Sequence, residues 1–130
     1  MKTYFVDTNY FLRLLLKEDE KQFDQVYSLF QQAIKNEVKL CTSIVVLFEI
    51  YWVLSSFYKQ NKPQVCQYLE KILAMSYIEI EKRETFTYAL SIYKKNALDL
   101  EDCYNLAIAE IFAVDEFASF DKKLLKCLKK

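Results

Sequence analysis

Thr3-Tyr4-Phe5-Val6-Asp7-Thr8-Asn9, continued by Tyr10, Phe11, Leu12, Leu14, Leu15 and Leu16, is the stretch from which the architecture follows. Its first four residues are β-branched or aromatic and read as a short strand, after which the apolar positions recur at helical spacing. A strand that turns through polar residues straight into a helix opens a β-α unit, and a helical crossover makes the next strand parallel. Asp7 stands at the carboxyl end of the strand, where open α/β sheets collect their ligands.

Outward from this unit the alternation repeats. From about Asp19 to Asn36, the residues Phe23, Val26, Tyr27, Phe30, Ala33 and Ile34 fall at the spacing of an amphipathic helix, and Asn36 suits its end. Val38 to Cys41 reads as a second strand, with Thr42 or Ser43 capping a helix that is apolar nearly all round from Ile44 to Leu54. Asn61-Lys62-Pro63 opens the next helix, which carries Val65, Leu69, Ile72 and Leu73. Tyr77 to Ile80 is a third strand, Glu84 to Lys95 a helix ended by Asn96, and Leu100 to about Ala113 another helix. Phe117 to Phe120 is a fourth strand and Asp121 to Leu128 a last helix. The expected fold is α/β: one domain over residues 1–130, with a short, mostly buried parallel sheet of about four strands surrounded by helices.

Composition narrows the class. An apolar fraction of 53% with 16% aromatic excludes disordered and low-complexity chains and suffices for a core without disulfides. Glycine is absent and Pro63 is the single proline, so turns needing positive φ should fall on Asn or Asp, or be avoided through helices. With 18 basic and 18 acidic residues the net charge is zero, so any site for a polyanion must be local. Arg13, Lys17 and the run Lys122, Lys123, Lys126, Lys129 and Lys130 are candidate phosphate contacts or, equally, solvated surface charges.

Cys41, Cys66, Cys103 and Cys127 form no Cys-x-x-Cys pair and the chain has no histidine, which removes the common zinc sets and leaves buried reduced thiols as the expectation. No signal-peptide pattern opens the chain, so a cytoplasmic location is expected. Leu40 to Tyr58 carries Glu49 as its only charge and is long enough to raise a membrane span. Thr42, Ser43, Ser55, Ser56 and the central carboxylate favour a buried core helix instead.

Four carboxylates occupy positions where a core residue is expected: Asp7, Glu49, Asp102 and Asp121. Ten of the eleven residues from Ile44 to Leu54 are apolar, and no Lys or Arg lies within four positions of Glu49. A buried Glu49 then calls for a remote basic partner, a raised pKa or a bound cation. Asp7 can cap the first helix, although Thr8 or Asn9 could do the same. Asp102 suits a first helical turn through the helix dipole, with Asp99 as cap or support, and Asp121 can cap the last helix. Taken together the set reads as an all-oxygen site of the kind that suits Mg²⁺ or Mn²⁺. The lack of histidine excludes histidine-based ribonuclease chemistry and Ser-His or Cys-His triads within the chain.

Val6-Asp7-Thr8-Asn9, the Ser43 to Glu49 approach to an acid inside a helix, Asp102 with Asn105-Leu106-Ala107-Ile108-Ala109, and Ser119-Phe120-Asp121-Lys122-Lys123 together resemble the PIN domain, and within it the VapC-like toxins of bacterial toxin-antitoxin pairs. The resemblance spans the whole length. It implies a Mg²⁺- or Mn²⁺-dependent endoribonuclease, with Asp7, Glu49 and Asp102 as the first three metal-binding acids, Asp121 as the fourth, and Asn9 and Ser119 supporting the site. It also implies an RNA substrate, an antitoxin whose C-terminal segment lies across the active-site groove, and a homodimer. Two other classes are open: a catalytically silent PIN-like module that binds protein or RNA, and a phosphoryl-transfer domain of the receiver or haloacid-dehalogenase type. The latter wants an acid two residues after Asp7, where Asn9 stands, and the former an acid adjacent to Asp7.

Overall fold

The structure, a computed structural model, describes residues 1–128; Lys129 and Lys130, the end of the lysine run, lie outside the described residues. Chain contacts divide into two compact units, Met1–Lys82 and Arg83–Lys130. In order, the elements are β1 (Thr3–Phe5), α1 (Thr8–Leu16), α2 (Glu20–Ile34), β2 (Lys39–Thr42), α3 (Ile44–Trp52), a π-helical turn over Val53–Phe57, α4 (Lys62–Leu73), β3 (Ile78–Ile80), α5 (Arg83–Lys95), α6 (Leu100–Ile111) and α7 (Lys122–Leu128).

The first unit holds a parallel sheet in the order β1-β2-β3. Thr3 pairs with Lys39 and Phe5 with Cys41, while Leu40 pairs with Ile78 and Thr42 with Ile80. Those last four side chains are all buried, so β2 and β3 present one continuous inner face. The helices of this unit bury Phe11 and Leu12, Val26, Phe30 and Ala33, Leu47 and Ile50, and Val65, Leu69 and Ile72. Phe11 and Phe30 tie α1 to α2 edge to face, with ring centroids 5.9 Å apart.

Local chemistry sets the helix starts. Asp19 accepts the Gln22 N–H at 3.0 Å to open α2, and Asn61 and Gln64 exchange bonds of 3.0 and 3.1 Å in a capping box with Pro63 beside it. In the second unit α5 packs on α6: Phe86, Ala89, Leu90 and Tyr93 are buried from the one, and Leu100, Cys103, Tyr104 and Ala107 from the other.

Several expectations are corrected. The sheet has three described strands, because Phe117 to Phe120 is irregular and Phe120 is fully exposed. An apolar tetrapeptide becomes a strand only when a neighbour completes its ladder, and among the described residues none does. Nor is the sheet buried on both faces. β1 is exposed at all three residues, and Lys39 and Glu79 point away from the inner face, as the two-residue period of a strand requires.

Positive φ falls on Asn36, as expected, but also on Lys17, Lys59, Lys82 and Ala113. Without glycine these residues bear the left-handed conformation at a cost of about 1–2 kcal/mol each. At Lys17 the N–H closes α1 on the Arg13 carbonyl at 3.3 Å, which offsets part of it. Cys66 and Cys103 are buried thiols, whereas Cys41 and Cys127 are half-buried. Among the described residues no helix is long and apolar enough to cross a membrane.

Candidate functional site

Asp7 is placed by the end of β1. The Val6 N–H donates to the Cys41 carbonyl at 2.8 Å, and the buried Thr42 hydroxyl donates to the Val6 carbonyl at 2.8 Å. The chain leaves the strand in extended conformation at Asp7, which becomes the N-cap of α1. Its Oδ1 accepts the Thr8 N–H at 2.7 Å and its carbonyl the Tyr10 N–H at 3.1 Å, so the capping alternative is realised. One oxygen of the exposed carboxylate is left for another partner.

Glu49 belongs to the same neighbourhood. Ser43 caps α3 through the Val46 N–H at 3.4 Å, and the helix turns Val46, Leu47, Ile50 and Tyr51 inward. Glu49 is therefore exposed rather than buried, which corrects the expectation above. The sequence misled because this outer face is apolar too: Val45 is 71% and Trp52 58% exposed on either side of it.

Glu49 Oε1 accepts the hydroxyl of Thr8. Thr8 is buried and joins the two acids, giving its N–H to Asp7 and its Oγ1–H to Glu49. Sequence reasoning treated it only as a spare cap; the available signal was a β-branched hydroxyl directly after a strand-end acid. Asn9 is exposed in the first turn of α1. A cavity of about 400 Å³ opens beside Asp7 between Tyr4, Tyr10, Gln25 and Gln32.

A second group of acids lies in the second unit. Asp99 takes the N-cap position of α6 in extended conformation; its carbonyl accepts the Cys103 N–H at 3.1 Å, but its side chain makes no capping bond to a described residue. Asp102 sits half-buried in the first turn. Asp121 is exposed and caps α7, its Oδ1 accepting the Lys123 and Leu124 N–H groups at 2.9 and 3.2 Å, while its own N–H donates to Ser119 Oγ at 3.0 Å.

The Asp102 carboxyl is held above its ordinary 3.8, first by burial and then by the negative charges of Asp99 and Asp121. Asp99, expected as cap or support, thus presses on Asp102 alongside Asp121. All three carboxylates share one electrostatic neighbourhood, and the mutual repulsion is what a cation would relieve.

The structure therefore holds two groups of acids, Asp7 with Glu49 and Asp99 with Asp102 and Asp121. Their donors are all oxygen, which fits Mg²⁺ or Mn²⁺ and not zinc. Among the described residues no three Asp, Glu, Cys or His side chains close into a ready-made cage. The fit rests on donor chemistry and on the like charge that acts on Asp102.

The basic candidates divide. Arg13 donates to Gln22 Oε1 and also acts on the Tyr58 hydroxyl, whose pKa is raised chiefly by a hydrogen bond to Glu18. Lys17 lies over the Phe23 ring at 5.4 Å. Both serve contacts within the first unit, whereas Lys122, Lys123 and Lys126 are exposed on α7.

The profile of the PIN domain family matches residues 4–128, and the chain belongs to that family. It is similar to a VapC ribonuclease of Aquifex aeolicus (strain VF5), with 24% identity over 121 residues that cover 93% of this chain and 89% of the relative.

Proposed function

We propose that this PIN domain is a divalent-metal-dependent endoribonuclease that hydrolyses RNA phosphodiester bonds as the toxin of a type II toxin-antitoxin pair. The observation that carries the reading is the half-buried Asp102 carboxyl in the first turn of α6, raised by burial and then by the charges of Asp99 and Asp121. A metal-dependent hydrolase that works on a phosphodiester without histidine needs such oxygen donors, and the similarity to a ribonuclease supports RNA as the substrate.

In this reading Asp7, Asp102 and Asp121 hold Mg²⁺ or Mn²⁺, with Glu49 ligating directly or through water. Held there, divalent ions would supply positive charge against the negative charge that develops on the phosphate oxygens and would acidify a water. The remaining work belongs to the chain. Thr8 Oγ1–H donates to Glu49 Oε1 and ties that carboxylate to the end of β1. Ser119 Oγ accepts the Asp121 N–H and fixes the turn from which that carboxylate projects. Asp99 keeps negative potential on Asp102, strengthening its affinity for a cation.

The same reading makes residues 1–130 one functional domain, as the family match across both units supports. It places the protein in the cytoplasm as a homodimer, with an antitoxin partner. Cleavage of labelled RNA with Mg²⁺, Mn²⁺ or EDTA, beside Asp102→Asn, tests it. Metal-dependent cutting lost in the variant is the expected result. No cutting together with no Mn²⁺ uptake in calorimetry sinks the enzyme in favour of the silent interaction module.

A further inference from the structure

A cavity of about 300 Å³ in the second unit is lined by Lys95 at the end of α5, Asn96, Leu98, and Lys123, Lys126 and Cys127 of α7. Three lysines and, among its described lining residues, no acidic residue line it. In a chain of zero net charge that is a strong local bias.

Helix electrostatics explain only part of it. Lys95 and Lys126 stand in last turns, where a cation complements the helix dipole. Lys123 stands in the first turn of α7, at the end a cation should avoid, and it joins the other two around one space. Packing gives no reason to crowd three like charges about an open concavity.

Position supplies the reason. Leu98 precedes Asp99 in the chain, and the Lys123 N–H is bonded to Asp121 Oδ1 at 2.9 Å. The basic cavity thus adjoins the acids of its own unit. A substrate whose reacting group is drawn to cations at those acids, and whose neighbouring group is an anion, meets both.

We propose that Lys95, Lys123 and Lys126 form a cradle for a backbone phosphate of single-stranded RNA next to the bond that is cut. The proposal rests on the RNA substrate of the preceding reading and adds where the strand is gripped. Lysine suits the task because a flexible ammonium acts as a point charge on a phosphate that moves during reaction. Cys127 reports on occupancy: its thiol lines the cradle and donates to Asn96 Oδ1 at 3.5 Å.

The test uses the full chain in EDTA, which arrests metal-dependent cutting, and a short fluorescein-labelled single-stranded RNA read by anisotropy across a salt titration. The triple variant Lys95→Gln, Lys123→Gln, Lys126→Gln should bind at least tenfold more weakly at low salt, and its logarithmic salt slope should flatten by about 2, near 0.7 per lost lysine. The corresponding triple Arg variant should keep the wild-type slope. RNA should slow iodoacetamide labelling of Cys127 in the wild type and not in the Gln variant, as resolved by peptide mass.

An unchanged slope, unaffected labelling, or no RNA binding by the wild type overturns the cradle. Lysine-dependent binding of poly-glutamate but not of RNA overturns RNA as its ligand and assigns the surface to an acidic protein segment. Metal-dependent cutting with an unchanged slope removes the cradle and spares the nuclease reading. Lysine-dependent binding by a protein that never cuts does the reverse.

Discussion

Thr8, buried at the start of α1, donates its hydroxyl to Glu49, 41 residues further on in α3, while its N–H is held by Asp7. One threonine therefore sets the relation between two carboxylates that a strand end and a separate helix supply. Thr8→Val keeps the shape and removes the donor. It should reduce RNA cleavage by about 10- to 100-fold, the usual penalty for losing an outer-shell hydrogen bond at a metal site, and weaken Mn²⁺ binding in calorimetry. Thr8→Ser should restore most of both, and wild-type cleavage in the Val variant would remove Thr8 from the positioning role.

Asp102 makes a prediction about pH. Its carboxyl is raised in the folded chain, so the folded state holds the proton more tightly than the unfolded one. The stability associated with that proton is fully present below the ordinary 3.8 and is lost as pH rises through the folded value. At neutral pH the ionised group opposes folding. Asp102→Asn should therefore melt higher than wild type at neutral pH while losing cleavage, with the difference shrinking as the pH is taken toward 3.8. A variant that melts lower at neutral pH contradicts the like-charge account.

Asp121 has two separable duties, capping α7 and presenting a charge. Asp121→Ser keeps a capping oxygen and loses the carboxylate; Asp121→Ala loses both. The Ala variant should lose about 1 kcal/mol of stability in urea titrations, and the Ser variant much less. Both should be equally poor in metal-dependent cleavage. Full activity in the Ser variant would reduce Asp121 to a cap.

Lys59 is exposed with φ 52 between the π-helical turn and α4. Lys59→Gly removes a Cβ clash worth about 1–2 kcal/mol against a glycine entropy penalty of about 0.5–1 kcal/mol. A small net gain in the urea midpoint is expected, and a loss would show that the lysine side chain makes a contact worth more than the clash.

Much of this was legible because local and global signals agree at the same residues. The switch of period at Asp7 marks a β-α unit, and Thr42-Ser43 and Asn61-Lys62-Pro63 mark helix starts from side-chain chemistry alone, where the structure has Ser43 and Asn61 as the caps. What was hidden depends on neighbours. Phe117 to Phe120 has the composition of a strand, but composition cannot say whether a ladder partner is present. Glu49 was read as buried because an apolar flank usually faces a core, and nothing local reveals that Val45 and Trp52 face solvent. Asp99 read as a cap or a support, and only the fold shows its charge acting on Asp102. The lysines at positive φ were equally silent, since tertiary closure there overrides a preference for Asn.

Trp52 is the chain's single tryptophan and lies three residues beyond Glu49 on the outward side of α3. The molecule thus carries its own fluorophore about one helical turn from a carboxylate of the candidate site. Whatever settles over Glu49, whether nucleotide or polypeptide, changes the polarity and quenching around that indole. Occupancy of this face is therefore readable as an emission shift in the unlabelled protein.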